Sequence, residues 1–270
     1  MRGLLAAAVL LVAFAALGAV QPESGIGFPR DASEDGWRVD WLIQITSVFI
    51  GILFVIMCVW MGWSCLAHGK SHDAHHDHGD GKKSMLTALA LSALIFLVVD
   101  GNLFVNSLID LDDVTWNFER AEVDPRAVRI EVNARQWAWQ VRYAGLDREF
   151  NTADDVLALN DVRVPLGAPV VIQLGSVDVI HSLFLPNLRV KQDAIPGRIT
   201  RLWFRAKDAG QFDIACAQHC GVGHYKMRGT LTVMAPEDYD AWYREASESA
   251  AAAFDAHDSG AMWGWTWQKS

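Results

Sequence analysis

Residues 128–132 read Val-Arg-Ile-Glu-Val, and residues 137–143 read Trp-Ala-Trp-Gln-Val-Arg-Tyr, so apolar and polar side chains alternate in both stretches. This alternation is typical of a half-buried β-strand. Pro and Gly positions separate these stretches from three similar runs, at residues 170–174, 199–205 and 230–234. Short strands at this spacing predict an all-β sandwich or barrel for the C-terminal part of the chain.

An apolar segment at residues 41–63 lies upstream of the β region. It is almost free of charge over more than 20 residues, which is enough for a helix to cross the ~30 Å hydrocarbon core of a bilayer. Trp37 and Trp41 stand at one end of it, and Trp60 and Trp63 at the other. Tryptophan at both ends of a span is typical of the two membrane interfaces.

A second apolar run covers residues 85–108 and contains Asp100 and Asn102. An acid inside a membrane span is costly and usually faces other protein. We therefore expect this helix to pack against a larger membrane partner, or to place Asp100 near a water-filled cavity. Together the two runs predict a transmembrane hairpin at residues 37–110.

The N-terminal residues 1–20 begin Met-Arg, continue as an apolar run and end in small residues, which predicts a secretory signal peptide. An uncleaved anchor is the alternative. The loop at 64–84 between the two spans is rich in histidine and contains His68, His72, His75, His76 and His78. A solvated flexible loop is favoured over a metal-binding tract, because nothing around these histidines could build a rigid shell. The lysines of this loop favour a cytoplasmic location, so the β region is expected on the outer face.

The formal net charge of −9 argues against a nucleic-acid partner, since phosphates demand a basic surface. It suits a cationic partner instead.

The segment 236–256 is compatible with a helix that begins at a proline and has acids in its first turn. The Trp-rich stretch at 262–267 fits either a membrane interface or a partner surface. The sequence contains no C-x-x-C-H motif, hence no fused c-type haem domain is expected.

The residues that carry chemistry lie in CAQHCGVGHYKM, residues 216–227, which has the pattern C-x3-C-x3-H-x2-M. Two thiolates, an imidazole and a thioether form a ligand set that selects copper over Mg²⁺ or Ca²⁺. Structural zinc prefers closed Cys/His tetrahedra. Two cysteines are one too many for a single blue-copper ion, but they can bridge two metal ions. A Cys216–Cys220 disulfide is the alternative in an exported domain.

A two-copper site needs a second histidine, and outside the loop at 64–84 there are three candidates besides His224. His181 follows the strand-like run at 170–174 and could come from a neighbouring β-loop. His219 lies between the two cysteines, where its side chain is expected to point away from a cluster that they bridge. His257 lies in the C-terminal segment and is expected to be solvated.

The stretch at 216–227 resembles the binuclear copper (CuA) loop of cytochrome c oxidase subunit II. Residues 178–198, residues 135–143 and the two-span hairpin are also similar to that family, so the resemblance covers about residues 37–243. It implies a membrane-anchored α+β fold, in which a two-helix transmembrane hairpin is followed by a cupredoxin-like all-β barrel. The barrel is expected at 112–243, and a C-terminal helix and tail at 244–270.

The family pattern also implies roles for individual residues. The implied ligands of two copper ions are His181, Cys216, the backbone carbonyl of Gln218, Cys220, His224 and Met227. Trp137 matches the exposed tryptophan at which the electron from cytochrome c enters. Gln136 and Asp178 match positions in or near the docking surface for cytochrome c. Asp193 and Arg198 match residues that face the catalytic subunit.

The activity implied by the resemblance is the transfer of single electrons from cytochrome c to haem in subunit I, where oxygen reduction is coupled to proton pumping. The implied partners are cytochrome c, subunit I, other oxidase subunits and membrane lipid. The implied location is a bacterial inner membrane with the copper domain on the periplasmic face.

Two positions depart from the family pattern. Where this chain has Gln218, the family usually has a glutamate whose side chain also helps to bind Mg²⁺ at the subunit I interface. The copper role uses only the backbone carbonyl and carries over, whereas the Mg²⁺ role does not carry over securely. The family often has a glutamate near the start of the second span, where this chain reads Lys82-Lys83-Ser84-Met85, so no equivalent is assigned.

Three other functions are considered beside the electron-accepting subunit. A subunit II that takes electrons from quinol would lose the cysteines. A copper chaperone can use C-x3-C and a distant histidine on a thioredoxin-like fold, and the β-only pattern opposes it. A scaffold subunit with a disulfide in place of copper is the third.

Overall fold

The computed structural model describes residues 27–68, 78–255 and 257. The predicted signal peptide at 1–20, residues 69–77 of the His-rich loop and the Trp-rich stretch at 262–267 lie outside the described residues. The described chain divides into two compact units. One unit holds Arg38–Asp113, and the other holds Asp31–Trp37 together with the described residues from Val114 onward.

Two long apolar helical runs match the predicted spans. The first is helix α1, Gly36–Ala67. The second run, Lys82–Glu122, contains α2 Lys82–Ile95, a π-helical turn Phe96–Asp100, α3 Gly101–Asp110, a second π-helical turn Leu111–Thr115 and α4 Phe118–Glu122. By length and composition both runs can cross a membrane. The predicted two-helix hairpin is confirmed, and the two π-helical turns were not indicated by the sequence pattern.

Polar contacts between the two runs lie where α1 begins and α3 ends. Arg38 Nη1 lies 2.8 Å from Asp110 Oδ1 and 3.8 Å from Asp113 Oδ2, so one guanidinium joins the start of α1 to the second run. Cys58 and Cys65 are exposed on α1. An apolar helix surface that is available to lipid does not need a protein cover, and this accounts for their exposure.

The β region forms two five-stranded sheets. The strands are β1 Val128–Arg135, β2 Ala138–Tyr143, β3 Val156–Leu159, β4 Asp161–Pro165, β5 Pro169–Ser176, β6 His181–Leu185, β7 Val190–Ala194, β8 Thr200–Arg205, β9 Gly210–Cys216 and β10 Arg228–Met234. The strand orders are β3-β2-β1-β5-β8 and β4-β10-β9-β6-β7. The pairs β1–β5 and β10–β4 are parallel, and the other named pairs are antiparallel. The predicted cupredoxin-like β domain is confirmed.

The core of this domain is formed by apolar side chains from both sheets. The largest of them that are fully buried include Trp139, Tyr143, Ile130, Ile172, Leu174, Leu183, Leu185 and Leu231. Helix α5, Pro236–Ala253, extends the core through an aromatic cluster in which Trp242 and Tyr243 lie against Tyr143. This helix falls within the segment at 236–256 that the sequence indicated.

The short segment Asp31–Trp37, which leads into α1, also packs on the β domain. Lys207 N donates to the carbonyl of Ala32 at 2.8 Å, and Ala32 N donates to the carbonyl of Asn187 at 2.7 Å. The methyl group of Ala32 is completely buried. These contacts join residues that are more than 150 positions apart in the sequence, and no local pattern indicated them.

A buried ion cluster lies on β1 and β2. Glu131 and Arg142 face each other across the two strands, and Arg142 Nε donates to Glu131 Oε2 at 2.8 Å. Arg142 Nη1 also donates to Asn151 Oδ1 at 2.8 Å, and Arg142 Nε lies 3.7 Å from Asp155 Oδ2. Burial raises the pKa of both carboxyls, and the single guanidinium opposes that rise. The fold therefore depends on one buried cation to compensate two buried acids.

We predict that Arg142→Met lowers the free energy of unfolding by about 3–5 kcal/mol, because it leaves two buried carboxylates without a cation. Both acids then have raised pKa values in the folded state, so the loss should shrink as the pH falls and they become protonated. Chemical denaturation of the purified full chain between pH 7 and pH 5 measures both effects.

The control is Arg126→Met, which removes a surface ion pair between the 65% exposed Arg126 side chain and Asp124. We expect no measurable change in stability from it. An Arg142→Met chain as stable as the control, or a loss that grows as the pH falls, would contradict this account of the cluster.

Candidate metal centre

The six implied ligands come from the ends of neighbouring strands and from one loop between two of those strands. His181 is the first residue of β6, Cys216 is the last residue of β9, and Met227 directly precedes β10. Strand β9 pairs with both β6 and β10, so these three residues lie at one end of one sheet. The loop 217–226 carries Gln218, Cys220 and His224. Sheet topology therefore brings together residues that are up to 46 positions apart.

Backbone hydrogen bonds hold this loop in place. Cys216 N donates to the carbonyl of Met227 at 3.1 Å, which closes the loop at its base. Ala217 N donates to the carbonyl of Ser182 at 2.9 Å, which ties the loop to β6. A short 3₁₀ turn, His224–Lys226, leads the chain back towards β10. The ligand atoms are thus supported by main-chain contacts on both sides.

The donor atoms converge on Cys220. Its Sγ lies 3.8 Å from Cys216 Sγ, 3.5 Å from His224 Nδ1 and 3.8 Å from Met227 Sδ. The Cys216 Sγ lies 3.2 Å from the carbonyl oxygen of Gln218. Such a cluster places soft sulfur ligands and imidazoles within reach of a common centre.

His181 completes the cluster from β6. Its Nδ1 lies 3.1 Å from Met227 Sδ, and its ring is completely buried. The ligand atoms of His181, Cys216 and Cys220 all lie within 4.8 Å of one another. All six implied ligands are therefore brought to one place.

Both thiols are free. Their sulfurs are 3.8 Å apart, whereas a disulfide needs about 2.05 Å. The alternative Cys216–Cys220 disulfide is not formed in this structure. The two histidines that were weighed against His181 also lie elsewhere. The exposed ring of His219 packs against His224, and His257 is exposed near the end of the described chain.

The two thiols differ in acidity. Burial raises the pKa of Cys216, but hydrogen bonds from His181 and the Ser182 backbone outweigh it and lower that pKa to about 6. Burial and the neighbouring Cys216 raise the pKa of Cys220 to about 11. The surroundings therefore favour one thiolate in this pair over two. A metal ion would compensate the charge of a second one.

Trp137 lies directly against the loop that carries the implied ligands. Its ring is 38% exposed, and its Nε1 donates to the carbonyl of Cys220 at 3.3 Å. The side chain of Gln136 donates to the same carbonyl at 2.8 Å. One tryptophan thus reaches from the surface to the main chain of a ligand residue.

Two glycines make this approach possible. A Cβ atom at Gly223 would lie 2.3 Å from Trp137 Cδ2, and a Cβ at Gly221 would lie 2.8 Å from Gln136 Nε2. Gly221 also has a φ of +115°, which few other residues adopt. These glycines were not singled out from the sequence, and their role in seating Trp137 was missed. The sequence signals that could have indicated this role are the G-x-G pattern inside the loop at 216–227 and the aromatic run at 135–143.

The remaining residues suggested by the resemblance occupy three places. Asp178 lies in the loop before β6, where its carboxylate meets His181. Asp193 accepts a hydrogen bond from the Ser182 hydroxyl at 2.6 Å, and Arg198 is exposed after β7. Trp139 was not singled out as a site residue, yet its buried ring meets the ring of His181 edge to face at 6.1 Å.

The fold and this cluster define a membrane-anchored, cupredoxin-like protein with a candidate soft-metal site. Residues 128–233 match the family described as "Cytochrome C oxidase subunit II, periplasmic domain". The "Alternative cytochrome c oxidase subunit 2" of Bradyrhizobium diazoefficiens is 28% identical over 77% of this chain and 79% of its own length. The "Cytochrome c oxidase subunit 2" of Cereibacter sphaeroides is 27% identical over 85% of this chain and 82% of its own length.

A solved structure, the periplasmic domain of subunit II of cytochrome oxidase from Bradyrhizobium japonicum, is 27% identical with a TM-score of 0.41. The match covers 46% of this chain and 96% of that one. The family match over residues 128–233 and the two relatives support a likeness of this chain to subunit II of haem–copper oxidases. The resemblance indicated by the sequence is confirmed, and the family implies a copper centre in the β domain.

We predict that Gly223→Ala lowers the free energy of unfolding by about 1–3 kcal/mol, because the new methyl group overlaps the Trp137 ring. Chemical denaturation of the full chain measures the loss, and near-ultraviolet circular dichroism reports the displaced ring. Val222→Ala is the matched control, since Val222 is 87% exposed. A Gly223→Ala chain that unfolds at the same denaturant concentration as the Val222→Ala control would contradict the proposed seating of Trp137.

Proposed function

We propose that this chain is the electron-accepting subunit of a cytochrome c oxidase. In this role it takes single electrons from cytochrome c and passes them to haem in subunit I, where oxygen reduction is coupled to proton pumping. The observation that carries the proposal is the convergence of three sulfurs and two imidazoles beside a partly exposed tryptophan.

The donor set fits two copper ions. Two free thiols at 3.8 Å, one buried and one partly buried, can bridge two metals. The residues that would hold the copper pair are His181, Cys216, the Gln218 carbonyl, Cys220, His224 and Met227. Bound there, the copper pair supplies one-electron acceptance and donation. The proposal includes no Mg²⁺ ion, because Gln218 offers a neutral amide where the family usually has a carboxylate.

The chain's own contribution is a fixed frame. The loop is hydrogen bonded to β6 and to the start of β10, so its ligand atoms need not move when an electron arrives. A site whose ligands move little on reduction transfers electrons with little reorganisation. Trp137 supplies a route from the surface to this frame, through its hydrogen bond to the Cys220 carbonyl.

The proposed partners follow from the same role. Cytochrome c is the donor, and the net charge of −9 suits a cationic protein of that kind. Subunit I and other oxidase subunits are the proposed membrane partners, together with lipid. The proposed location is a bacterial inner membrane with the β domain on the periplasmic face. The division into a signal peptide (1–20), a hairpin (37–110), a copper domain (112–243) and a C-terminal helix and tail (244–270) is part of the proposal.

The structure does not favour the rival functions. The two five-stranded sheets are unlike the thioredoxin-like fold of the chaperone alternative. A quinol-oxidising subunit would lack the cysteines that this chain retains. A disulfide-bearing scaffold would need the two sulfurs to be bonded, and they are 3.8 Å apart.

Rapid mixing of the oxidised, copper-loaded oxidase complex with reduced c-type cytochrome tests the proposal. We expect reduction of the copper centre in the wild-type complex, and slower reduction in the Trp137→Phe complex, which loses the indole N–H that reaches Cys220. The optical spectrum of the copper should be the same in both. Trp116→Phe is the control, since Trp116 is an exposed tryptophan at the end of the second helical run.

One result would overturn the proposed function, and another would remove only the role of Trp137. A wild-type complex with a loaded copper site that no c-type cytochrome reduces would overturn the proposed function. Equal rates in the wild-type and Trp137→Phe complexes would remove Trp137 from the electron route while leaving the function in place.

A further inference from the structure

The carboxylate of Asp178 is held between a proposed copper ligand and the segment that carries Trp137. Its Oδ1 lies 2.8 Å from His181 Nε2, and its Oδ2 accepts a hydrogen bond from the backbone N–H of Gln136 at 2.7 Å. Val179 N donates to Oδ1 at 2.7 Å as well. Both oxygens of this acid are therefore used inside the protein.

The contact with His181 has a direct chemical consequence. A carboxylate that accepts from one imidazole nitrogen fixes the tautomer, orients the ring and makes the other nitrogen a stronger donor to metal. In His181 the nitrogen left for metal is Nδ1, which faces Met227 Sδ at 3.1 Å. The edge of Trp139 meets the same ring, so the imidazole is supported by an acid and by an aromatic side chain.

The contact with Gln136 extends this support to the electron route. Gln136 directly precedes Trp137, and its side-chain amide donates to the carbonyl of Cys220 at 2.8 Å. Asp178 thus fixes the backbone of residue 136, from which both the amide and the indole reach the same carbonyl. Three separate loops, 136–137, 177–180 and 217–223, meet through this one carboxylate and that one carbonyl.

An acidic residue that serves to dock a partner protein would be placed differently. Such an acid keeps its oxygens free for a partner's lysines, and rim charges act mainly on the rate of association. Asp178 has only 29% of its side chain exposed and accepts from three donors within 2.8 Å. Most of its capacity to accept hydrogen bonds is therefore not available to a partner.

We propose that Asp178 is a positioning residue of the copper centre, which orients His181 for the metal and holds the Gln136–Trp137 segment against Cys220. This inference rests on the proposed function, and it assigns Asp178 a role distinct from the docking position that the family resemblance implies. Its charge acts on the metal ligand, and only secondarily on an approaching cytochrome.

Two variants separate positioning from docking. Asp178→Asn keeps the size but has a single acceptor oxygen, so its amide N–H groups must face either His181 Nε2 or Gln136 N–H, which are donors themselves. Asp178→Glu keeps the charge but moves both oxygens by one methylene. Asp213→Asn is the matched control, because it removes an equal charge from an exposed acid on β9.

Copper affinity, measured by competition with a chelator in the purified full-length chain, is the first readout. We expect both Asp178 variants to bind copper roughly 10–100-fold more weakly, the range found when a carboxylate partner of a metal-ligating histidine is lost. The electron paramagnetic resonance spectrum of the loaded site and its midpoint potential should change in both variants. The Asp213→Asn chain should match the wild type in all three measurements.

Steady-state kinetics of the oxidase complex provide the second readout. A docking role predicts a higher KM for cytochrome c in Asp178→Asn, wild-type behaviour in Asp178→Glu, and an unchanged copper spectrum in both. That pattern would overturn the proposal. Failure of both variants to fold, seen as loss of the wild-type thermal transition in the metal-free chain, would also overturn it, because the role would then be structural. A wild-type chain that binds no copper would instead refute the proposed function.

Discussion

Two sulfur atoms that are close enough to share metal ions, yet held apart from each other, are the constraint on which this structure depends. The separation of 3.8 Å between Cys216 and Cys220 is set by main-chain hydrogen bonds, from Cys216 N to Met227 and from Ala217 N to Ser182. Both bonds join the loop to strands of one sheet. The β domain is therefore the frame that holds the two thiols beside the other implied ligands.

The second layer of organisation is the meeting of three loops around the Asp178 carboxylate and the Cys220 carbonyl. Gln136 and Trp137 both donate to that oxygen, and Gly221 and Gly223 leave the space that the two side chains fill. Asp178 then links residue 136 to His181. The surface ring and the implied ligands are thus connected through hydrogen bonds of 3.3 Å or less.

Much of the fold and of the site could be predicted from sequence, because both depend on local signals. Alternating runs mark β1, β2 and β10, and an uncharged apolar stretch marks α1. The spacing C-x3-C-x3-H-x2-M is a ligand set in itself.

What could not be predicted depends on contacts between distant residues. Examples are the burial of Glu131 under Arg142, the pairing of Ala32 with Lys207 and the hydrogen bond from His181 to Asp178. None of these contacts produces a periodic pattern in the sequence, because each depends on the tertiary structure.

Electron paramagnetic resonance of the copper-loaded chain, together with its copper content, tests the central claim most directly. Two thiolates shared between two metals predict two copper ions per chain, and one unpaired electron whose hyperfine pattern shows both nuclei equally. A single copper ion, a zinc ion, or a signal confined to one copper nucleus would contradict the account.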